Sequence, residues 1–269
     1  MSAKRPSGNV TFDNRDRIVI VTGGSMGIGK AIADAFVQSN AHVYVADVKS
    51  PSNEELSDNP DVTYMHCDTA SAADCKAVVK KVIDEQGAVD VLVNNAAIQP
   101  PASYHPIDRV PPEVWQRMID VNLCGYMRMA AEVLPYMQQQ QAGVIINLAS
   151  GQAHRTAREV GVYGPIKSAN VMQARQWGIE YARDGIRVLS VSPGAINTPM
   201  IQASVAEQGG VAALGNRHPI GRIGEPCEVA SAVLWLTSDA ASFVTATDLE
   251  VDGGLGAFGS FAEPYPMPR

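Results

Sequence analysis

The chain is predicted to be an α/β protein built on a doubly wound, seven-stranded parallel sheet. Short apolar runs alternate along it with longer amphipathic stretches. The short runs are apolar throughout rather than at every second position, as expected of strands covered by helices on both faces. A glycine-rich turn stands between the first such run and the first amphipathic stretch, as the first βα unit of such a sheet requires. No repeat or low-complexity linker interrupts the pattern, so a single domain is expected over residues 16–255. A flexible arm at 1–15 and a tail at 256–269 flank it.

Strands are predicted over 17–21, 42–46, 62–66, 89–93, 143–148, 186–191 and 248–251, and helices over 28–38, 72–86, 112–139, 162–183 and 226–237. The first strand runs into Thr22-Gly23-Gly24-Ser25-Met26-Gly27-Ile28-Gly29, which opens the first helix. Such a turn lets the backbone approach a pyrophosphate, held on the positive end of the helix. The second strand ends at Asp47, eighteen residues beyond Gly29, where a carboxylate accepts hydrogen bonds from an adenosine ribose and repels a 2′-phosphate. NAD is therefore expected over NADP, and Met26 agrees because no basic residue stands within the turn. Lys49, close by, is the one discordant charge. Asp68, just past the third strand, has two readings: acceptor for an adenine amino group, or N-cap of the helix starting near Ser71.

Tyr163 and Lys167 share one helical face at four-residue spacing. Pro165 between them is tolerated in a first turn, whose N–H groups have no intrahelical partner. A free tyrosine titrates near pH 10, too high for a base at neutral pH, and a neighbouring ammonium favours the phenolate. Ser150, thirteen positions upstream, can hydrogen-bond the same substrate oxygen if the fold returns it there. The three describe a site for an alcohol or carbonyl.

With 46% hydrophobic and 18% charged residues and a formal net charge of -7, the composition is that of a globular protein poorly suited to nucleic-acid backbones. Cys67, Cys75, Cys124 and Cys227 show no metal-ligand spacing, so no metal is expected and the thiols read as reduced, in a cytoplasmic protein. No segment approaches the roughly eighteen consecutive apolar residues of a membrane span, and the N-terminal residues lack the apolar region of a secretory signal.

Taken in order, these motifs resemble the classical short-chain dehydrogenase/reductase family from Arg17 to Gly254. Thr22 to Gly29 resembles its TGxxxGIG, Asn94-Asn95-Ala96-Ala97 its NNAG, and Asn122 its helical active-site asparagine. Ser150, Tyr163 and Lys167 resemble its S…YxxxK, and Pro193-Gly194 with Thr198 its PG…T segment. The stretch from Gly221 to Ala230 resembles GRxGxPEEVA, and Val251-Asp252-Gly253-Gly254 the final strand ending. The resemblance implies a Rossmann fold, commonly a homotetramer, in which Tyr163 is the acid/base, Lys167 lowers its pKa and holds the nicotinamide ribose, and Ser150 fixes the substrate oxygen. It implies that Asn122 positions a proton-relay water, although a satisfied buried amide is the other reading. It further implies a cofactor site of Gly23, Ser25, Met26, Gly27, Ile28, Gly29, Asp47, Asp68, Asn94, Ala96, Tyr163, Lys167, Pro193, Gly194, Ile196 and Thr198. Ala97, Pro165 and Ile166 depart from the pattern and affect pocket shape rather than reactive groups.

In that family the loop between Ser150 and Tyr163 borders the substrate, and here it carries Gln152, His154, Arg155, Arg158 and Glu159. These suggest a sugar, polyol or anionic hydroxylated substrate, since guanidinium groups bind carboxylate or phosphate in bidentate fashion. Arginines that are solvated or paired with Glu159 are the competing reading. The stretch 200–217, with Gly209, Gly210 and Gly215, reads as a glycine-hinged lid or as a surface helix and turn. The tail is either a disordered end or an arm packing Phe258, Phe261 or Tyr265 against another subunit. An NAD-dependent oxidoreductase acting on CH–OH groups is the leading expectation. An NADPH-linked reductase of 3-oxoacyl or other carbonyl substrates and a dinucleotide sensor without turnover are the alternatives.

Overall fold

The computed structural model describes residues 8–49, 59–202, 205 and 209–259. Its elements are β1 (Ile18–Thr22), α1 (Gly27–Gln38), β2 (His42–Asp47), β3 (Val62–His66), α2 (Ala72–Gln86), β4 (Val91–Asn94) and α3 (Pro112–Ile119). A π-turn (Asp120–Cys124) leads into α4 (Gly125–Gln140), β5 (Gly143–Leu148), α5 (Tyr163–Glu180) and β6 (Ile186–Pro193). The short helices α6 (Pro199–Gln202) and α7 (Gly210–Gly215) precede α8 (Pro226–Thr237) and β7 (Asp248–Val251).

All seven strands are parallel, in the order β3-β2-β1-β4-β5-β6-β7. The order reverses between β1 and β4, which opens a crevice at the carboxyl ends of the strands. Strand β1 shows why the runs are apolar throughout: Val19 and Val21 pack with Ile32, Phe36 and Val233 on one face. Ile18 and Ile20 pack with Val78, Val82 and Met129 on the other. Each fully buried side chain of this kind contributes roughly 1.5–3 kcal/mol, so a polar residue at either parity would be costly.

Helix ends follow local chemistry. Ser71 caps α2 by accepting from Asp74 N, and Gly87 closes it at φ 73°. Glu225 and Glu228 form a capping box around Pro226 at the start of α8. Four details depart from expectation. The helix predicted over 112–139 is interrupted by the π-turn at Asp120–Cys124. Strand β4 starts two residues late because Gln140 holds both backbone groups of Val89. Asn14, within the segment read as a flexible arm, is buried and donates to Ser39 Oγ at 2.8 Å. Ser71, not Asp68, is the cap of α2. No helix among the described residues is long and apolar enough to cross a membrane.

Candidate active site

Strand β5 ends at Leu148, delivering Ser150 to the carboxyl edge of the sheet in an extended conformation. Its Oγ accepts from Gln152 N at 3.1 Å and starts a single turn, Gly151–Ala153. Helix α5 begins at Tyr163, so Pro165 occupies its first turn as its lost N–H allows. A Cβ on Gly164 would lie 3.2 Å from the Gln152 carbonyl, so a small residue there lets α5 press on the Ser150 turn. The Tyr163 phenol comes within hydrogen-bonding reach of Ser150. Ile166 is buried with Met118 and Val162.

Lys167 is 1% exposed. Its Nζ donates to Leu148 O at 2.6 Å and to Tyr126 Oη at 3.3 Å, and Tyr126 Oη itself donates to Leu148 O at 3.1 Å. Burial pulls the Lys167 pKa down to about 7, because a low-dielectric interior penalises the charged form. Burial pushes the Tyr163 phenol well above its ordinary range, neighbouring Tyr104 pushes the same way, and the bond with Ser150 opposes them. Desolvation is the largest of these influences on Tyr163. Lys167 Nζ is held at Leu148 and Tyr126, 5.6 Å from the Tyr163 ring centroid.

Asn122 sits in the π-turn, wholly buried, accepting from Ile98 N and donating to Ile98 O, both at 2.8 Å. Its own carbonyl accepts from Asn170 Nδ2 at 3.0 Å. The side chain thus matches the satisfied-amide reading, clamping the chain beyond β4. Asn94, expected to border the cofactor, has a wholly buried side chain that donates to Asn147 Oδ1 at 3.0 Å.

The glycine turn forms a cradle. Gly23 and Gly27 adopt φ 64° and 58°, conformations glycine reaches without steric cost. A Cβ on Gly29 would meet Gly23 O at 2.2 Å and Asn95 Nδ2 at 2.4 Å. Asn95, the second residue of the NNAG-like segment, has its Nδ2 on the carbonyls of Thr22 and Gly23, both at 2.9 Å. Thr22 Oγ1 in turn accepts from Asn95 N and Ala96 N. Asp47, at the end of β2, accepts from Ser25 N and Lys49 N at 3.0 Å each. Met26 N-caps α1 and Ile28 begins its first turn. Facing them, Thr198 lies 3.4 Å from where a Gly27 Cβ would be. His218, buried, pins the segment from Pro193: its Nε2 accepts from Ala195 N at 3.1 Å and its Nδ1 bonds Leu214 O at 3.1 Å. Gly194 N bonds Val251 O, and Ile196 bridges to Gly224. A glycine cradle at a helix N-terminus, with a carboxylate at the next strand end, fits a dinucleotide. Asp68 is engaged otherwise, by Arg117 Nη2 at 2.8 Å and Ala70 N at 3.0 Å.

Residues 23–256 match the family model described as enoyl-(acyl carrier protein) reductase. The chain belongs to the short-chain dehydrogenase/reductase family. It is 37% identical over 249 residues to a 2,5-dichloro-2,5-cyclohexadiene-1,4-diol dehydrogenase of Sphingobium indicum, covering 91% of this chain and 99% of that one. The ligand-free aldohexose dehydrogenase of Thermoplasma acidophilum superposes with a TM-score of 0.86 at 35% identity, covering 93% and 98%. A 3-ketoacyl-(acyl-carrier-protein) reductase of Brucella melitensis in complex with NADH superposes at 0.82 with 28% identity, covering 90% and 99%.

In this short-chain dehydrogenase/reductase the predicted substrate loop divides. His154 Nε2 pairs with Asp248 Oδ2 at 2.7 Å, and Asp248 also accepts from Ser190 Oγ. Arg155 Nη1 donates to the carbonyls of Leu255 and Phe258, at 2.5 and 2.7 Å. Both residues predicted to meet substrate are thus committed to β7 and the segment after it. Arg158 is exposed, and no ion pair to Glu159 is found for it or Arg155 among the described residues. Phe258 is half-buried, whereas Phe261 and Tyr265 lie outside the described residues, as does part of the stretch read as a lid. That stretch contains α6 and α7. Tyr126 and His218 are the site residues that sequence motifs missed; each acts on a group distant in the chain.

Proposed function

We propose that the chain is an NAD-dependent oxidoreductase interconverting a secondary alcohol and its carbonyl on a small hydroxylated molecule such as a sugar, polyol or cyclic diol. The observation that carries this is the meeting of Ser150 with Tyr163 one helical turn from buried Lys167, beside a glycine cradle that ends at Asp47. The diol and aldohexose dehydrogenases it resembles support the substrate class. NAD is favoured because Asp47 would repel a 2′-phosphate, and the NADH complex of the Brucella relative is consistent with it. Exposed apolar Met172 and Ile179 on α5, and Trp235 on α8, support a homotetramer.

When bound, the nicotinamide supplies the hydride acceptor or donor. Ser150 Oγ and the Tyr163 hydroxyl hold the substrate oxygen. Because burial keeps the phenol protonated, Tyr163 is set to give a proton to a carbonyl; in alcohol oxidation it must first lose one. Oxidation is therefore expected to accelerate as pH rises from 7 to 9, and reduction to slow. Steady-state assays with NAD and NADP across sugars, polyols and hydroxy acids test the proposal. Tyr163→Phe should lower kcat by about 100-fold or more. A Tyr163→Phe enzyme as fast as the parent, or kcat/KM higher with NADP, would overturn the corresponding part.

A further inference from the structure

Buried polar atoms in folded proteins almost always have a hydrogen-bond partner. Gln99 Nε2 and Gln152 Oε1 are buried and have none among the described residues. Both belong to segments that adjoin the reacting group. Gln152 follows Ser150 by two positions, with its N–H on Ser150 Oγ and its carbonyl against Gly164, the residue after Tyr163. Gln99 follows Ile98, which packs in the same apolar cluster as Tyr163. The backbone beneath each amide is fixed: Asn122 grips both polar groups of Ile98, and the Ser150 turn holds Gln152. Two rigidly based carboxamides, one offering a donor and one an acceptor, flank the site from the β4 side and the β5 side.

We propose that Gln99 and Gln152 form a paired-amide subsite that reads a second oxygen on the substrate, making this enzyme selective for diols and hydroxyketones over simple secondary alcohols. The inference rests on the oxidoreductase function proposed above. A hydroxyl both donates and accepts, so it can serve Gln152 Oε1 as a donor and Gln99 Nε2 as an acceptor. An alkyl substituent there leaves both amides unpaired, and sites built to bond a substrate hydroxyl reject analogues lacking it. The second oxygen is not changed chemically; it only orients the carbon that reacts. A carboxylate is less suited, because two neutral amides carry no charge to balance it, and Arg155 on the same loop is spent on the Leu255 and Phe258 carbonyls.

The test compares the enzyme with Gln99→Met, Gln152→Met and the double variant, using NAD and the isomers of cyclohexane-1,2-diol and cyclohexane-1,4-diol, with cyclohexanol as reference. The parent should favour at least one diol over cyclohexanol by on the order of 10- to 100-fold in kcat/KM, chiefly through KM. The double variant, with melting temperature retained, should reduce that ratio to about threefold or less, each single change giving part of the loss. A folded double variant that keeps the parent ratio overturns the subsite, as does a parent that oxidises cyclohexanol as well as every diol. A parent that oxidises none of these probes, nor any alcohol in the wider panel, overturns the proposed function itself and the subsite with it.

Discussion

Replacing Lys167 with methionine is expected to stabilise the protein at and below pH 7 while removing activity. The native side chain is 1% exposed, and burial lowers its pKa from 10.5 to about 7. At about 1.4 kcal/mol per pH unit, holding the ammonium charged in this site costs about 5 kcal/mol. Methionine removes that cost and loses the bonds from Nζ to Leu148 O and Tyr126 Oη. The Leu148 carbonyl still accepts from Tyr126, so the loss is about 1–3 kcal/mol, leaving a net gain of roughly 2–4 kcal/mol. The sign with pH follows from proton counting. Between pH 7 and 10.5 the unfolded parent binds a proton that the folded parent lacks. Parental stability therefore rises with pH relative to the variant, by up to about 1.4 kcal/mol per unit. The variant's advantage is fully present below pH 7 and shrinks by about 2–3 kcal/mol by pH 9. Urea unfolding of both cofactor-free proteins at pH 6, 7, 8 and 9 measures it. An equal difference at pH 6 and pH 9, or a variant less stable at pH 6, would refute the picture of a desolvated amine.

Gly29→Ala would place a methyl against Gly23 O and Asn95 Nδ2, costing roughly 1–3 kcal/mol or more; thermal melts with and without NAD should show lower stability and a weaker cofactor-induced shift. Arg155→Ala should loosen residues 255–258 without selectively raising KM for anionic substrates, because its guanidinium is bonded to two carbonyls there; hydrogen exchange and paired assays on a neutral and an anionic substrate check this. A KM increase confined to the anionic substrate would restore the anion-site reading of that loop.

The sheet, the glycine turn and the one-turn spacing of Tyr163 and Lys167 were legible because each depends on residues near one another in the chain. Strand β1 is apolar at both parities because each face meets a helix layer, and that shows in five consecutive letters. Tyr163 and Lys167 meet through helical spacing alone. The clamp of Asn122 on Ile98 was illegible because the two stand 24 positions apart. The clamp of Asn95 on the glycine turn spans 72 and 73 positions, and the tie from Arg155 to the last described segment spans 100 and 103.

By itself, therefore, the sequence determined the order of strands and helices, the glycine cradle with its acid, and the identities of Ser150, Tyr163 and Lys167. The tertiary structure decided the protonation preferences of those groups and the allegiance of their neighbours. Burial turns Lys167 from a permanent cation into an amine titrating near neutrality and keeps Tyr163 protonated. Packing commits His154 and Arg155 to β7 and beyond, and leaves Gln99 and Gln152 with polar atoms unpaired. Desolvation and hydrogen-bond competition depend on which distant segments are stacked together, and no local pattern of residues encodes that.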